Sequence, residues 1–192
     1  MPSPSSHRNA RPWQIETWLN TATPLSLDAL RGRVVVALAF QMLCPGCVAH
    51  ALPLALRVHR QFPRDRVAMI GLHTVFEHHD AMTAIALRAF LHEYRVDFPV
   101  GIDRADGTHG IPATMRTYSM RGTPTWLVYD PRGQERIQHF GDLDPLRLGA
   151  EIGALLERAR WPDADDALHV PATSGAHGCD DAGCRNDSGD MR

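Results

Sequence analysis

A chain of 192 residues with 44% hydrophobic side chains can bury one ordinary core and still carry extensions. Its formal net charge of −2 gives no global attraction for nucleic acid or an anionic membrane. No window approaches the roughly 18 consecutive apolar residues that a membrane span needs. All 20 basic residues are arginine, which removes every lysine-based mechanism. Four cysteines in two close pairs are too few to staple a scaffold of this size. Residues 1–11 are polar, contain Pro2 and Pro4, and lack the apolar run of a signal peptide. The expectation is a soluble, cytoplasmic protein with neither nucleic acid nor membrane as partner.

In chain order, residues 1–12 read as disordered. Weak alternation over 13–20 predicts a short strand. Residues 24–32 predict a turn and one helical turn closed by Gly32. The unbroken β-branched and apolar run Val34–Phe40 predicts a central strand buried on both faces. A helix is expected from 45 to about 61, kinked at Pro53 because proline cannot bond back to Ala49. A second buried strand is expected over 67–75. Asp80 is the expected cap of a helix whose apolar face carries Met82, Ile85, Ala86, Ala89, Phe90 and Tyr94. An extended segment follows over 97–102, then a helix with Pro112 in its first turn. Thr125–Tyr129 and Gln134–Phe140 read as a hairpin turning at 130–133. Pro145 opens a last helix with Leu148, Ile152, Leu155, Leu156 and Ala159 on one face.

Beyond residue 161 the composition changes. Residues 162–192 hold seven aspartates against two arginines and almost no large apolar side chains, which predicts a disordered acidic tail. The domain boundaries are therefore 1–12, 13–161 and 162–192. Alternating strands and helices, ending in a hairpin and a helix, predict a layered α/β domain with a parallel first βαβ unit.

The chemistry concentrates at Cys44-Pro45-Gly46-Cys47, between the first buried strand and the first long helix. Unpaired backbone N–H groups and the partial positive charge of a helix start favour a thiolate there. In a reducing compartment such a pair is catalytic or metal-binding more often than structural. No second ligand pair stands at zinc spacing, so dithiol chemistry is favoured over zinc. His50 lies one α-helical turn after Cys47, where it could tune the thiols or relay a proton, or simply be a solvated helix histidine. His73, His78 and His79 cluster in sequence, but read as a polar loop rather than three convergent metal ligands.

The pair at the strand–helix junction, together with Gly122-Thr123-Pro124-Thr125 before the hairpin, resembles the active site of the thioredoxin-like superfamily. The likeness covers roughly residues 13–160. It is nearest to the redoxin branch, the TlpA-type thiol–disulfide oxidoreductases, which are related to the AhpC/TSA peroxiredoxin group. The resemblance implies a thioredoxin-like fold, with a central mixed sheet flanked by helices. It implies a cis bond before Pro124, with Thr123 and Pro124 beside the cysteines and binding a substrate chain. It implies Cys44 as attacking thiolate and Cys47 as resolving thiol, with no cofactor and no metal. The partners expected are a disulfide-containing protein or small-molecule thiol substrate, and a reductase or thiol pool that recycles the dithiol. The chain departs from the family pattern at Leu43, where an aromatic is common, and at Leu38, where many thioredoxins bury a carboxylate. It also has His50 where TlpA-type relatives carry glutamate.

Two alternatives compete. A thiol peroxidase shares the fold, but residues 36–43 lack the Pro-x-x-x-Thr/Ser pattern of a peroxidatic site. A copper-binding, chaperone-like module would use Cys44, Cys47 and a distant histidine, although the copper-assembly relatives space their cysteines more widely. In the tail, Cys179 and Cys184 stand as a secondary redox pair, as metal ligands or as inert thiols, and the sequence leaves all three readings open.

Overall fold

The run at 34–40 becomes the middle of the sheet, as its composition requires. The computed structural model describes residues 8–107 and 110–160. It contains strands β1 (Arg8–Asn9), β2 (Ile15–Leu19), β3 (Val34–Phe40), β4 (Val67–His73), β5 (Val100–Asp103), β6 (Thr125–Tyr129) and β7 (Gln134–Phe140). The helices are α1 (Leu52–Gln61), α2 (Ala84–Glu93), α3 (Ala113–Thr117) and α4 (Pro145–Arg160). The strands form one mixed sheet in the order β1-β7-β6-β3-β4-β5-β2. β3, β4 and β5 run parallel, so the expected parallel βαβ unit is present; β6, β7, β2 and β1 pair antiparallel. No helix among the described residues is long and apolar enough to cross a membrane.

The alternation of side chains along β3 divides the core. Val34, Val36, Leu38 and Phe40 face a layer containing Leu52, Leu54, Ala55 and Val58 of α1, Leu87 and Leu91 of α2, and Leu148, Ile152 and Leu155 of α4. Val35, Ala37 and Ala39 face Leu30, Met115, Tyr118, Leu127 and Tyr129. All seven β3 residues are buried. Burial on both faces explains the continuous apolar run and makes this strand a rigid base for whatever follows it.

Several boundaries differ from the sequence reading. Arg8 and Asn9 pair with Glu135 and Gln134, so strand structure begins inside the segment expected to be disordered. Asp80 does not cap α2. Thr83 does, its hydroxyl accepting the Ala86 N–H at 3.2 Å, while residues 78–82 form a turn closed by the Met82 N–H on the His78 carbonyl. Met82 is buried ahead of the helix; along α2, Ala86 and Phe90 pack inward as expected beside the more deeply buried Leu87 and Leu91, whereas Ile85, Ala89 and Tyr94 are exposed. Pro112 precedes α3 in extended conformation as its N-cap residue. The tail, with Cys179 and Cys184, lies outside the described residues.

Candidate active site

β3 ends at Phe40, and the chain turns through residues 41–44 into a helix. The Cys44 N–H bonds back to the Gln41 carbonyl at 3.3 Å, and the Val48 N–H bonds to the Cys44 carbonyl at 3.1 Å. Cys44 thus stands at the mouth of the helix and is half-buried, whereas Cys47 is fully buried in the apolar layer below. Both are free thiols. The Cys47 N–H points at the Cys44 sulfur, 3.2 Å away. That is one of the orphan donors of a helix start, aimed at the atom that would carry negative charge.

The kink expected at Pro53 takes a specific form. Residues Cys47–Ala51 wind as a π turn, and the Leu52 N–H closes a five-residue bond on the Cys47 carbonyl. Pro53 follows immediately, and the winding returns to α-helix from there on. The wider winding brings Leu52, not His50, back over Cys47. His50 is therefore exposed, with no hydrogen bond to either thiol among the described residues. The α-helical spacing from which face-sharing with Cys47 was inferred is replaced here by the π winding.

Thr123 and Pro124 come to the pair across a gap of about eighty residues in sequence, and the bond between them is cis. The Cys44 thiol donates to the Thr123 carbonyl at 3.5 Å. A Cβ built on Gly46 would lie 3.7 Å from Pro124 Cδ, so the proline ring rests against the Pro-Gly segment of the motif. The loop is anchored on its far side by the Gly141 N–H on the Pro124 carbonyl at 2.8 Å and the Thr125 hydroxyl on the Gly122 carbonyl at 2.6 Å. Gly122 permits the Phe140 ring to approach, since a Cβ there would meet that ring at 2.9 Å.

Burial, followed by the hydrogen bond with Cys44, pushes the Cys47 thiol up to about 12; the Gln41 backbone and the Thr123 hydroxyl pull it partly back. The surroundings explain the size of the effect. Leu38 and Trp126 lie in the same fully buried layer as Cys47, and Leu38 holds the place at which a carboxylate was missing from the sequence. His73 is buried at the end of β4 against the Phe40 ring, whereas His78 and His79 are exposed. Burial lowers the His73 imidazole to about 4. Among the described residues, no three His, Cys, Asp or Glu side chains converge as a metal site would require.

No family model and no curated protein sequence matches the chain. Solved structures do. The chain is 58% identical to a crystal structure described as a thioredoxin-like superfamily protein, over 77% of this chain and 96% of that one, with a TM-score of 0.75. It is 42% identical to a thiol-disulfide isomerase from Corynebacterium glutamicum, over 80% and 98% of the two chains, with a TM-score of 0.75. The chain belongs to the thioredoxin-like superfamily. A putative thiol:disulfide interchange protein DsbE from Chlorobium tepidum, 22% identical with a TM-score of 0.62, shares the fold. Within this thioredoxin-like domain the sequence reasoning missed Gln41. It is a buried amide in an otherwise apolar stretch, and that break in pattern was the available signal.

Proposed function

We propose that this thioredoxin-like protein is a thiol–disulfide oxidoreductase in which Cys44 attacks and Cys47 resolves. The observation that carries this reading is the asymmetry of the pair. A half-buried sulfur at the helix mouth receives a backbone N–H at 3.2 Å, and a fully buried thiol waits behind it. The similarity to a structure described as a thiol-disulfide isomerase supports it.

In the reductive direction, the Cys44 thiolate attacks one sulfur of a substrate disulfide. The substrate S–S bond breaks, a Cys44–substrate disulfide forms, and the other substrate sulfur leaves as a thiolate that takes a proton. Cys47 then loses its proton and attacks the Cys44 sulfur. The mixed disulfide breaks, the second substrate thiol is released, and Cys44–Cys47 remains oxidised. Two electrons and two protons pass to the substrate. Thr123 and Pro124 form the wall along which an extended, disulfide-bearing polypeptide would lie. In the reducing compartment expected from the sequence, a thiol pool or reductase returns the pair to the dithiol.

The test is reduction of insulin disulfides with dithiothreitol as recycling reductant. Wild-type protein accelerates it and Cys44→Ser does not. Incubated with insulin in the absence of dithiothreitol, Cys47→Ser accumulates a Cys44–substrate mixed disulfide visible by mass spectrometry. A Cys44→Ser variant as active as wild type would overturn the assignment.

A further inference from the structure

Gln41 is fully buried, although it follows a strand made entirely of apolar residues. A buried amide is costly unless bonded, and this one is bonded at both ends to a single loop. Its Oε1 accepts the Phe76 N–H at 3.1 Å, and its Nε2 donates to Glu77 Oε1 at 3.3 Å. The same loop is held one step earlier by the Thr74 N–H on the Phe40 carbonyl at 3.0 Å. The backbone of Gln41 turns the other way. Its carbonyl accepts the Cys44 N–H at 3.3 Å, and a backbone hydrogen bond from this residue is among the influences that lower the Cys47 thiol. One residue therefore touches both cysteines through its main chain and the 74–77 loop through its side chain.

We propose that Gln41 is a positioning residue of the dithiol site, a clamp that makes the placement of Cys44 depend on the 74–77 loop, with exposed Glu77 as the outer jaw. The proposal rests on the dithiol reading for its functional meaning, but not for its geometry. The side chain of Gln41 touches neither sulfur and acts on the chemistry by fixing the turn that presents Cys44. If the loop opens, the amide loses its acceptor and the Phe76 N–H, and the Gln41 peptide that holds the Cys44 N–H loses its anchor. A plain packing role for Gln41 would confine any loosening to the loop itself.

The test uses Glu77, which is exposed, so that its variants leave the core untouched. Glu77→Ala removes the acceptor of the Gln41 amide, and Glu77→Gln keeps an acceptor oxygen while removing the charge. Hydrogen exchange of the full-length reduced protein is followed at the Phe76 and Cys44 amides. In Glu77→Ala, protection falls at both amides together, by about threefold to tenfold for loss of one half-buried hydrogen bond. Glu77→Gln restores protection at both. In the same samples, the pH profile of Cys44 alkylation by iodoacetamide moves in Glu77→Ala further than in Glu77→Gln. Loss of protection at Phe76 alone overturns the clamp, as does no loss at either site. So does equal loss in the two variants, which would trace the effect to charge rather than to the hydrogen bond. These readouts need no disulfide substrate, so failure of insulin reduction would overturn the proposed activity without deciding the clamp.

Discussion

The backbone N–H of Cys47 donates to the sulfur of Cys44 at 3.2 Å, while the sulfur of Cys47 itself is shut away from solvent. One residue thus supports its partner's reactivity with its main chain and hides its own side chain. Alkylation should separate the two. Iodoacetamide at pH 8 is expected to label Cys44 quickly and Cys47 only on unfolding. With burial pushing the Cys47 thiol up to about 12, it stays protonated at pH 8. Peptide mapping after timed labelling reads the ratio, and comparable labelling of both sites in the native protein would contradict the assignment.

His73 gives the fold a pH dependence of definite sign. Its imidazole is buried at the end of β4 and lowered to about 4 from an ordinary 6.5. The unfolded chain takes up this proton first as pH falls. The stabilisation is therefore complete above 6.5 and is lost as pH drops through 6.5 towards 4, after which this group changes nothing further. The size is on the order of 3 kcal/mol for a shift of this kind. Asp103, raised by burial, works in the opposite sense. Urea unfolding of wild type and His73→Leu at pH 7 and pH 4.5 isolates the histidine. The wild type should lose more stability between the two pH values, and equal losses would sink the idea.

What could be read from the sequence followed the strength of local constraint. Val34–Phe40 is apolar at every position, so its burial on both faces and its central place had no competitor. Gln134–Phe140 was bounded by a clear turn and matched the observed strand. Asp80 failed as a cap because Thr83 offered the same hydrogen bond three residues later, and an exposed Asp and Thr are interchangeable on propensity alone. The cysteines and Thr123-Pro124 were legible because few other sequences place those groups at those points. The π turn was not. Pro53 announced a disruption, but the choice between a kink and a widened turn is made by packing of Cys47, Ala51 and Leu52 into the core. Gln41 was present in the same stretch and assigned no role, because its partners, Phe76 and Glu77, are brought to it only by the parallel pairing of β3 with β4.

The π turn bears directly on His50. Counting residues as if the helix were regular puts it above Cys47; the segment is π-wound instead, and His50 is exposed with no hydrogen bond to either thiol among the described residues. His50→Gln is therefore expected to leave the pH dependence of disulfide exchange superimposable on wild type. A displaced profile in stopped-flow measurements between pH 5 and 9, on the order of half a unit or more, would return the histidine to the mechanism.

Leu43 is 56% exposed immediately before the attacking cysteine, which places a large apolar side chain where a bound substrate would meet it. The Phe140 ring, on the far side of Gly122 and beneath the Arg121 guanidinium at 5.3 Å, adds exposed apolar surface beside the Thr123-Pro124 loop. A polypeptide substrate can bury Leu43, whereas a small disulfide reaching only Cys44 need not. Covering one leucine contributes about 1.5–3 kcal/mol at most, so Leu43→Ser should raise KM for a protein disulfide roughly tenfold. The rate with a small aromatic disulfide should stay within about twofold, because the sulfur and its N–H donor are untouched. Parallel assays with insulin and the small disulfide decide it. Equal loss on both substrates would mean that Leu43 shapes the motif rather than the substrate surface.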